Sequence, residues 1–179
     1  PFEGTTGAIT ISGGSITVDA SGDGIDSNGS ITVTGGITMV SGPDNNGNGA
    51  FDYGSIAHVS GGTLIALGAS GMAQGFSSAE GQGAIFCTFN TQRGGSLFEV
   101  RDGNGDVIVS FTPAKNYQCA VVTSPDIQKG NIYTLTSDGN TISSVEMTSE
   151  LYGSSGGMGG MGGGRPGGGE RPGGDFRPR

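Results

Sequence analysis

Apolar and polar residues alternate along three stretches in the first half of the chain, and a glycine pair divides each stretch in two. The stretches read AITISGGSITV (8–18), SITVTGGITMV (30–40) and IAHVSGGTLIA (56–66). Alternation in short runs rich in Ile, Val and Thr predicts half-buried β-strands. The glycine pairs recur at intervals of 22 and 26 residues, and a repeat of this length is typical of stacked supersecondary units.

This repeat predicts a short parallel β-helix, a solenoid in which each strand pairs with its copy in the next coil. Alternating residues should then stack in apolar columns inside the coils: Ile9 and Ile11, Ile31 and Val33, Ala57 and Val59. Thr10, Thr32 and His58 occupy the outward column, so the single histidine is expected in a polar ladder rather than in a catalytic or metal site. We expect the glycine pairs to form corners with positive φ.

The glycine pairs stop near residue 84, and six further strand-like runs follow: 85–89, 97–101, 107–111, 117–122, 132–136 and 141–145. DGNGD (102–106) and SDGN (137–140) are typical of hairpin turns. DGNGD also has the spacing that begins an EF-hand loop, but the later glycine and glutamate of such a loop are replaced by Val107 and Pro113. We therefore predict an all-β chain with β-helix coils over 1–83, an antiparallel β cap over 84–150 and a Gly/Arg/Pro-rich tail over 151–179.

Charge is distributed unevenly along the sequence. The formal net charge is -8, and residues 1–92 hold seven acidic residues and no Lys or Arg. An acidic chain of this kind is not expected to bind nucleic acid, which requires a basic surface. The sequence has no run of about 20 apolar residues, so we expect no membrane span. The tail carries four arginines that are candidates for assembly contacts: Arg165, Arg171, Arg177 and Arg179.

Two aspartates of the coil region are in phase with the glycine pairs. Asp26 and Asp52 each precede a glycine pair by nine residues, so they should lie on adjacent coils, about 4.8 Å apart. At that distance two carboxylates repel by roughly 3 kcal/mol in an effective dielectric of 20. A calcium ion would relieve this repulsion, with Asp23 and Asn28 as supporting ligands. Ordinary turn chemistry is the alternative, because Asp, Asn and Gly also make tight turns.

The two cysteines, Cys87 and Cys119, both fall on predicted strands of the cap. An even number of cysteines in a secreted protein favours a disulfide. A disulfide that closes the loop between Cys87 and Cys119 would add roughly 3–4 kcal/mol to the free energy of unfolding. Two buried free thiols are the alternative.

Several motifs together resemble the secreted bacterial carbohydrate-binding-domain family: SGDGIDSNGSITVTGG, SGPDNNGNGAFDYG, GGTLIALGASGMAQ and SFTPAKNYQCAVVTSPDIQKGNIYTL. The resemblance covers about residues 8–140. It implies a calcium-containing β-helix similar to polysaccharide lyases, a secreted or cell-surface location, and cellulose or pectin-type glucans as ligands. It also implies that Asp23, Asp26 and Asp52 lie near the metal.

Catalysis by a polysaccharide lyase is not expected, because a lyase of this fold needs an arginine or lysine base and the coils contain neither. A hydrolase needs a pair of carboxylates, which Asp23 and Asp26 could supply, but nothing in the sequence singles them out. We expect either a fibre subunit that assembles head to tail or a monomeric polysaccharide-binding module. In the module, Phe51 and Tyr53 are the best candidates for a sugar-stacking platform, unless both belong to the core. In the fibre, the tail arginines would meet the acidic coils of a neighbouring copy.

Overall fold

The computed structural model describes residues 7–153, and these residues form 13 β-strands with no helix, which confirms the all-β prediction. No helix of this region has the length and hydrophobicity that crossing a bilayer requires. The strands are β1 (Ala8–Asp19), β2 (Ile25–Ser27), β3 (Ser30–Ser41), β4 (Phe51–Tyr53), β5 (Ile56–Gly68), β6 (Ser78–Ala79), β7 (Gly83–Gln92), β8 (Phe98–Arg101), β9 (Val107–Phe111), β10 (Tyr117–Ser124), β11 (Ile132–Ser137), β12 (Asn140–Glu146) and β13 (Leu151–Tyr152).

The three stretches with glycine pairs form β1, β3 and β5, which pair in parallel and in the predicted register. Ile9 lies beside Ile31, which lies beside Ala57, and Thr10 aligns with Thr32 and His58. The predicted inward residues of β3 and β5 are fully buried. The alternation in the sequence therefore assigned the faces of these strands correctly.

The glycine pairs are the bends of these long strands. The second glycine of each pair has a positive φ: 81° at Gly14, 83° at Gly36 and 80° at Gly62. The first glycine is required for a different reason, because a Cβ on Gly35 or Gly61 would lie 2.6 or 2.3 Å from a carbonyl oxygen of the preceding repeat. The expected corners are confirmed, and close stacking explains why the corners of β3 and β5 need two glycines.

All six strands predicted after residue 84 are present, as β7 to β12. β8, β9, β11 and β12 form an antiparallel sheet in the order β12-β11-β8-β9. DGNGD links β8 to β9 as a hairpin turn, in which the Asp102 carboxylate accepts hydrogen bonds from the N–H groups of Asn104 and Asp106. The β11–β12 turn has positive φ at Asp138 and Gly139, as a two-residue hairpin loop requires.

β10 and β7 do not join that antiparallel sheet but extend the sheet of β1, β3 and β5, in the order β1-β3-β5-β10-β7-β13. This main sheet thus crosses the boundary that we predicted at residue 84. One face of β5, β10 and β7 packs against the four-stranded sheet, and the other face closes the interior of the repeats. Because both faces are covered, the middle of β10 is a continuous apolar run, CAVV (119–122).

The predicted disulfide between Cys87 and Cys119 is absent, and both residues are buried free thiols. In the β7–β10 register Cys87 lies opposite Ala120, and Cys119 lies opposite Thr88. Because successive side chains of a strand point to opposite faces, the two sulfurs lie on opposite sides of the sheet. Cys87 packs in the core toward the four-stranded sheet, and Cys119 packs in the interior of the repeats.

Candidate functional site

A short parallel ladder brings the two in-phase aspartates together. β2 pairs with β4, and Asp26 lies directly opposite Asp52. The predicted alignment of these two residues is therefore correct. We call Asp26 and Asp52 the acidic ladder. The Asp26 residue is exposed, and Asp52 is partly buried.

The electrostatics at Asp52 reflect this arrangement. Burial is the main cause that raises the pKa of the Asp52 carboxyl, and the nearby carboxylates of Asp26 and Asp23 raise it further. A hydrogen bond from the backbone of Tyr53 opposes these effects. Residues 7–92 supply no lysine or arginine that would balance the charge. Lys115, from the second half of the chain, pairs with Asp19.

Asp23, a predicted supporting ligand, has a structural role. Its Oδ1 accepts a hydrogen bond of 2.7 Å from the backbone N–H of Gly49, in the next repeat. Asn46 acts similarly, because its Oδ1 accepts a hydrogen bond from the N–H of Gly71 one repeat later. The alternative of ordinary turn chemistry thus describes what these two side chains do. The same sequence spacing is consistent with these hydrogen bonds between repeats and with metal binding.

The residues of the acidic ladder fit calcium in part. Within residues 7–153, no group of three or more His, Cys, Asp or Glu side chains is arranged to hold a metal ion. The ladder offers two carboxylates, so the remaining oxygens of a calcium site would be carbonyls, amides and water. Asn28 is exposed on the same connection, and its carbonyl lies beneath Gly54, where a Cβ would be 2.3 Å away.

The proposed sugar-stacking platform is wrong for Phe51. Phe51 is 1% exposed, and its ring packs against Tyr53 and Phe76, with centroids 5.8 and 4.8 Å away. Tyr53 is half-buried, and its hydroxyl donates a 2.7 Å hydrogen bond to the carbonyl of Gly75. Phe51 lies in the core and the partly buried Tyr53 packs against it, because both flank Asp52 on a strand and alternation turns them to the face opposite Asp52.

His58 lies in the polar ladder, as expected from its place in the repeat. Its Nδ1 is 2.8 Å from the Oγ of Ser78, which is its neighbour on β6. This contact continues the outward column of Thr10 and Thr32 onto the last repeat.

A cleft that the sequence analysis did not predict lies beside the DGNGD turn. It has a volume of about 550 Å³, and its lining includes Asp102, Asp106, Asp126, Asn131 and Tyr133. Two hydrogen bonds hold the side chain of Tyr133 in place. Its hydroxyl donates one to the Asp126 carbonyl and accepts one from the N–H of Gln128. The cleft joins a hairpin turn to the loop before β11, residues that sequence spacing does not connect.

A further feature is the outer edge of β1. β1 is the first strand of the main sheet, and its outer side pairs with no other strand among residues 7–153. The 12 residues of β1 contain no lysine and no proline, two residues that commonly protect sheet edges. The predicted assembly residues Arg165, Arg171, Arg177 and Arg179 lie outside the described residues.

Comparisons of the chain with family models, with curated proteins and with solved structures found no match.

Proposed function

We propose that this chain is a non-catalytic β-helix module of the cell exterior that assembles with further chains through the edge of β1. The observation that carries the proposal is that edge, a 12-residue strand with no lysine or proline, whose outer side pairs with no strand among residues 7–153. An unprotected edge is a template for strand addition. The length matters, because each added residue pair contributes further backbone hydrogen bonds.

The β-helix interpretation rests on two separate parallel ladders. β1, β3 and β5 pair in sequence order on both sides of their glycine corners, and β2 pairs with β4 in a separate part of the repeats. Each repeat therefore places equivalent residues above those of the previous repeat at two positions of a turn. Such stacking is the arrangement of a solenoid.

We also propose that the acidic ladder binds a calcium ion. Asp26 and Asp52 would hold the ion, which would neutralise two carboxylates that face each other on adjacent strands. Its contribution is structural, because it would join two repeats and favour the folded chain.

An acidic polysaccharide is a second candidate partner. The observation that favours it is the exposure of Asp26, since an ion held there would face solvent and a ligand carboxylate. Binding of polygalacturonate in calcium, with its loss in chelator, would support this function. No binding under either condition would remove the polysaccharide from consideration.

Analytical ultracentrifugation of the purified chain tests the assembly proposal. We expect species larger than the monomer, with a population that grows with protein concentration. The control variant carries Thr10→Lys and Thr17→Lys. Both positions are exposed, so the lysines would hinder the addition of another strand without contacting the core. If the wild-type chain sediments as a monomer at every concentration, the assembly function is wrong.

A further inference from the structure

We propose that the partner of the β1 edge is the same edge of a second copy, paired antiparallel about a two-fold axis through the Gly13–Gly14 corner. This inference rests on the proposed function, because it names the surface that the assembly edge meets. A two-fold contact closes on itself and gives a dimer. It replaces the head-to-tail fibre that the sequence suggested.

The sequence of β1 is nearly symmetric about its glycine pair. Reading AITISGGSITVD outward from the centre matches these residues: Ser12 with Ser15, Ile11 with Ile16, Thr10 with Thr17, and Ile9 with Val18. The other two strands of the repeat lack this symmetry. The same operation matches Thr32 with Met39 in β3 and His58 with Ile65 in β5. The symmetry therefore occurs only in the strand that lies at the edge.

The side-chain directions agree with this pairing. Ile16 and Val18 lie beside Thr38 and Val40 of β3, which are buried in the interior, so both halves of β1 turn their apolar residues inward. Antiparallel partners point to the same face, and each apolar residue of one copy would oppose an apolar residue of the other. The interior of one module would then continue into the next.

Within residues 7–153, the apolar columns are less well covered at β1 than at β3, except at Ile11, which is buried. Ile31, Val33 and Val40 of β3 are 0% exposed, whereas Ile9, Ile16 and Val18 of β1 are only half-buried. A second copy would cover these three side chains. Their burial would add a hydrophobic contribution to the backbone hydrogen bonds of the pairing.

The backbone N–H and C=O groups on the outer side of β1 are also positioned to pair with those of a second copy. The carbonyl of Gly7 accepts from the N–H of Ser30, and the N–H of Ala20 donates to the carbonyl of Ser41, so both point toward β3. Backbone polar groups alternate in direction along a strand, and Thr10 and Thr17 consequently direct their N–H and C=O groups to the free side. The two-fold axis places Thr10 of one copy opposite Thr17 of the other as a hydrogen-bonded pair.

Gly13 gives independent support for a neighbour at this corner. A Cβ on Gly13 would meet no atom of residues 7–153 within 4 Å, although the equivalent Gly35 and Gly61 are closely covered by the preceding repeat. Gly13 has no positive φ, so the conformation of the isolated chain does not require glycine there. Close approach of another backbone at the corner supplies the missing reason.

Two variants of the full chain test the pairing. Thr10→Lys with Thr17→Glu places a lysine opposite a glutamate at both 10–17 contacts of the dimer. Thr10→Lys with Thr17→Lys places lysine opposite lysine at both contacts. Both positions are exposed, so circular dichroism should show the same fold in each variant. Since opposite charges stabilise and like charges destabilise cross-strand pairs, the Lys/Lys variant should dimerise roughly tenfold more weakly than the Lys/Glu variant.

The outcomes separate this inference from the function on which it rests. A dimer in sedimentation, with Lys/Glu tighter than Lys/Lys, supports both. Filaments in electron micrographs, or equal affinities of the two variants, contradict the two-fold pairing and leave assembly standing. A head-to-tail contact of β1 with acidic coils would favour the Lys/Lys variant, which also contradicts the inference. A wild-type chain that stays monomeric contradicts both.

Discussion

At the scale of single residues, the corner glycines show how one missing Cβ determines whether repeats stack. Gly35 and Gly13 are the first glycines of their pairs, but only Gly35 faces a carbonyl oxygen of another repeat within the described chain. The same residue type at the same repeat position therefore has different consequences for stability.

We expect Gly35→Ala to lower the free energy of unfolding by about 1–3 kcal/mol, because its Cβ would lie 2.6 Å from the Ser12 carbonyl oxygen. Gly13→Ala is the matched control and should change it by less than about 0.5 kcal/mol. Urea unfolding at a protein concentration that keeps the chain monomeric measures both. Equal losses in the two variants would contradict the stacking explanation.

The buried thiols lead to a second residue-scale prediction. Burial raises the pKa of Cys87 to about 12 and also raises the pKa of Cys119. At pH 8 both groups are therefore protonated in the folded chain, and alkylation should be slow because the thiolate is the reactive form. Intact mass after alkylation without reductant should show no adduct on the native protein and two on the unfolded protein. An unfolded protein without adducts would indicate a disulfide.

At the scale of the element, turn chemistry positions the antiparallel sheet. The β11–β12 turn holds Asp138 at a φ of 47°, and the carboxylate of Asp138 accepts a 2.7 Å hydrogen bond from the N–H of Leu97, just before β8. One residue therefore shapes a hairpin and joins it to the next strand of the sheet.

We expect Asp138→Ala to destabilise the chain by about 1–2 kcal/mol, because alanine tolerates a positive φ poorly and offers no acceptor to Leu97. Asp138→Asn should cost clearly less, since asparagine tolerates this conformation and keeps a carbonyl oxygen. Thermal unfolding compares the two variants. Similar melting temperatures for both would show that the turn does not depend on this side chain.

At the scale of the whole molecule, charge leads to two predictions, one on calcium and stability and one on the proposed assembly. Calcium should raise the melting temperature, and chelator should lower it, if the ion binds only the folded chain. In chelator, Asp52→Asn should raise stability, because the fold holds the Asp52 pKa above its ordinary value and so opposes its charge at neutral pH. In calcium the same variant should lose the stabilisation by the ion.

The control for this experiment is Asp44→Asn, which removes an exposed acid from the same half of the chain and should respond to calcium like the wild type. If the wild-type melting temperature is the same in calcium and in chelator, the acidic ladder is not a calcium site.

Salt dependence separates the two modes of assembly. The two-fold pairing brings together coils that carry acidic residues and no lysine or arginine of their own. Added salt should therefore strengthen the dimer by screening this repulsion. Contacts between tail arginines and acidic coils would weaken with salt. Sedimentation at low and high ionic strength distinguishes them, and dissociation in salt would contradict the two-fold pairing.

The sequence by itself determined the features that depend on local periodicity. Alternation assigned the inward and outward faces of β1, β3 and β5, because side chains of a strand follow a period of two. The constant offset from the glycine pairs aligned Asp26 with Asp52, because stacked repeats keep their phase. The hairpin turns followed from residues that adopt positive φ.

Only the tertiary structure decided which faces meet and in which order the strands of the main sheet pair. The pairing of β10 with both β5 and β7 is a long-range contact that no local pattern encodes. It placed Cys87 and Cys119 on opposite faces and so excluded their disulfide. The same sheet order left β1 at the edge, and this position gives its symmetric sequence a physical meaning, because strand pairing needs free hydrogen-bonding groups as well as a matching pattern of side chains.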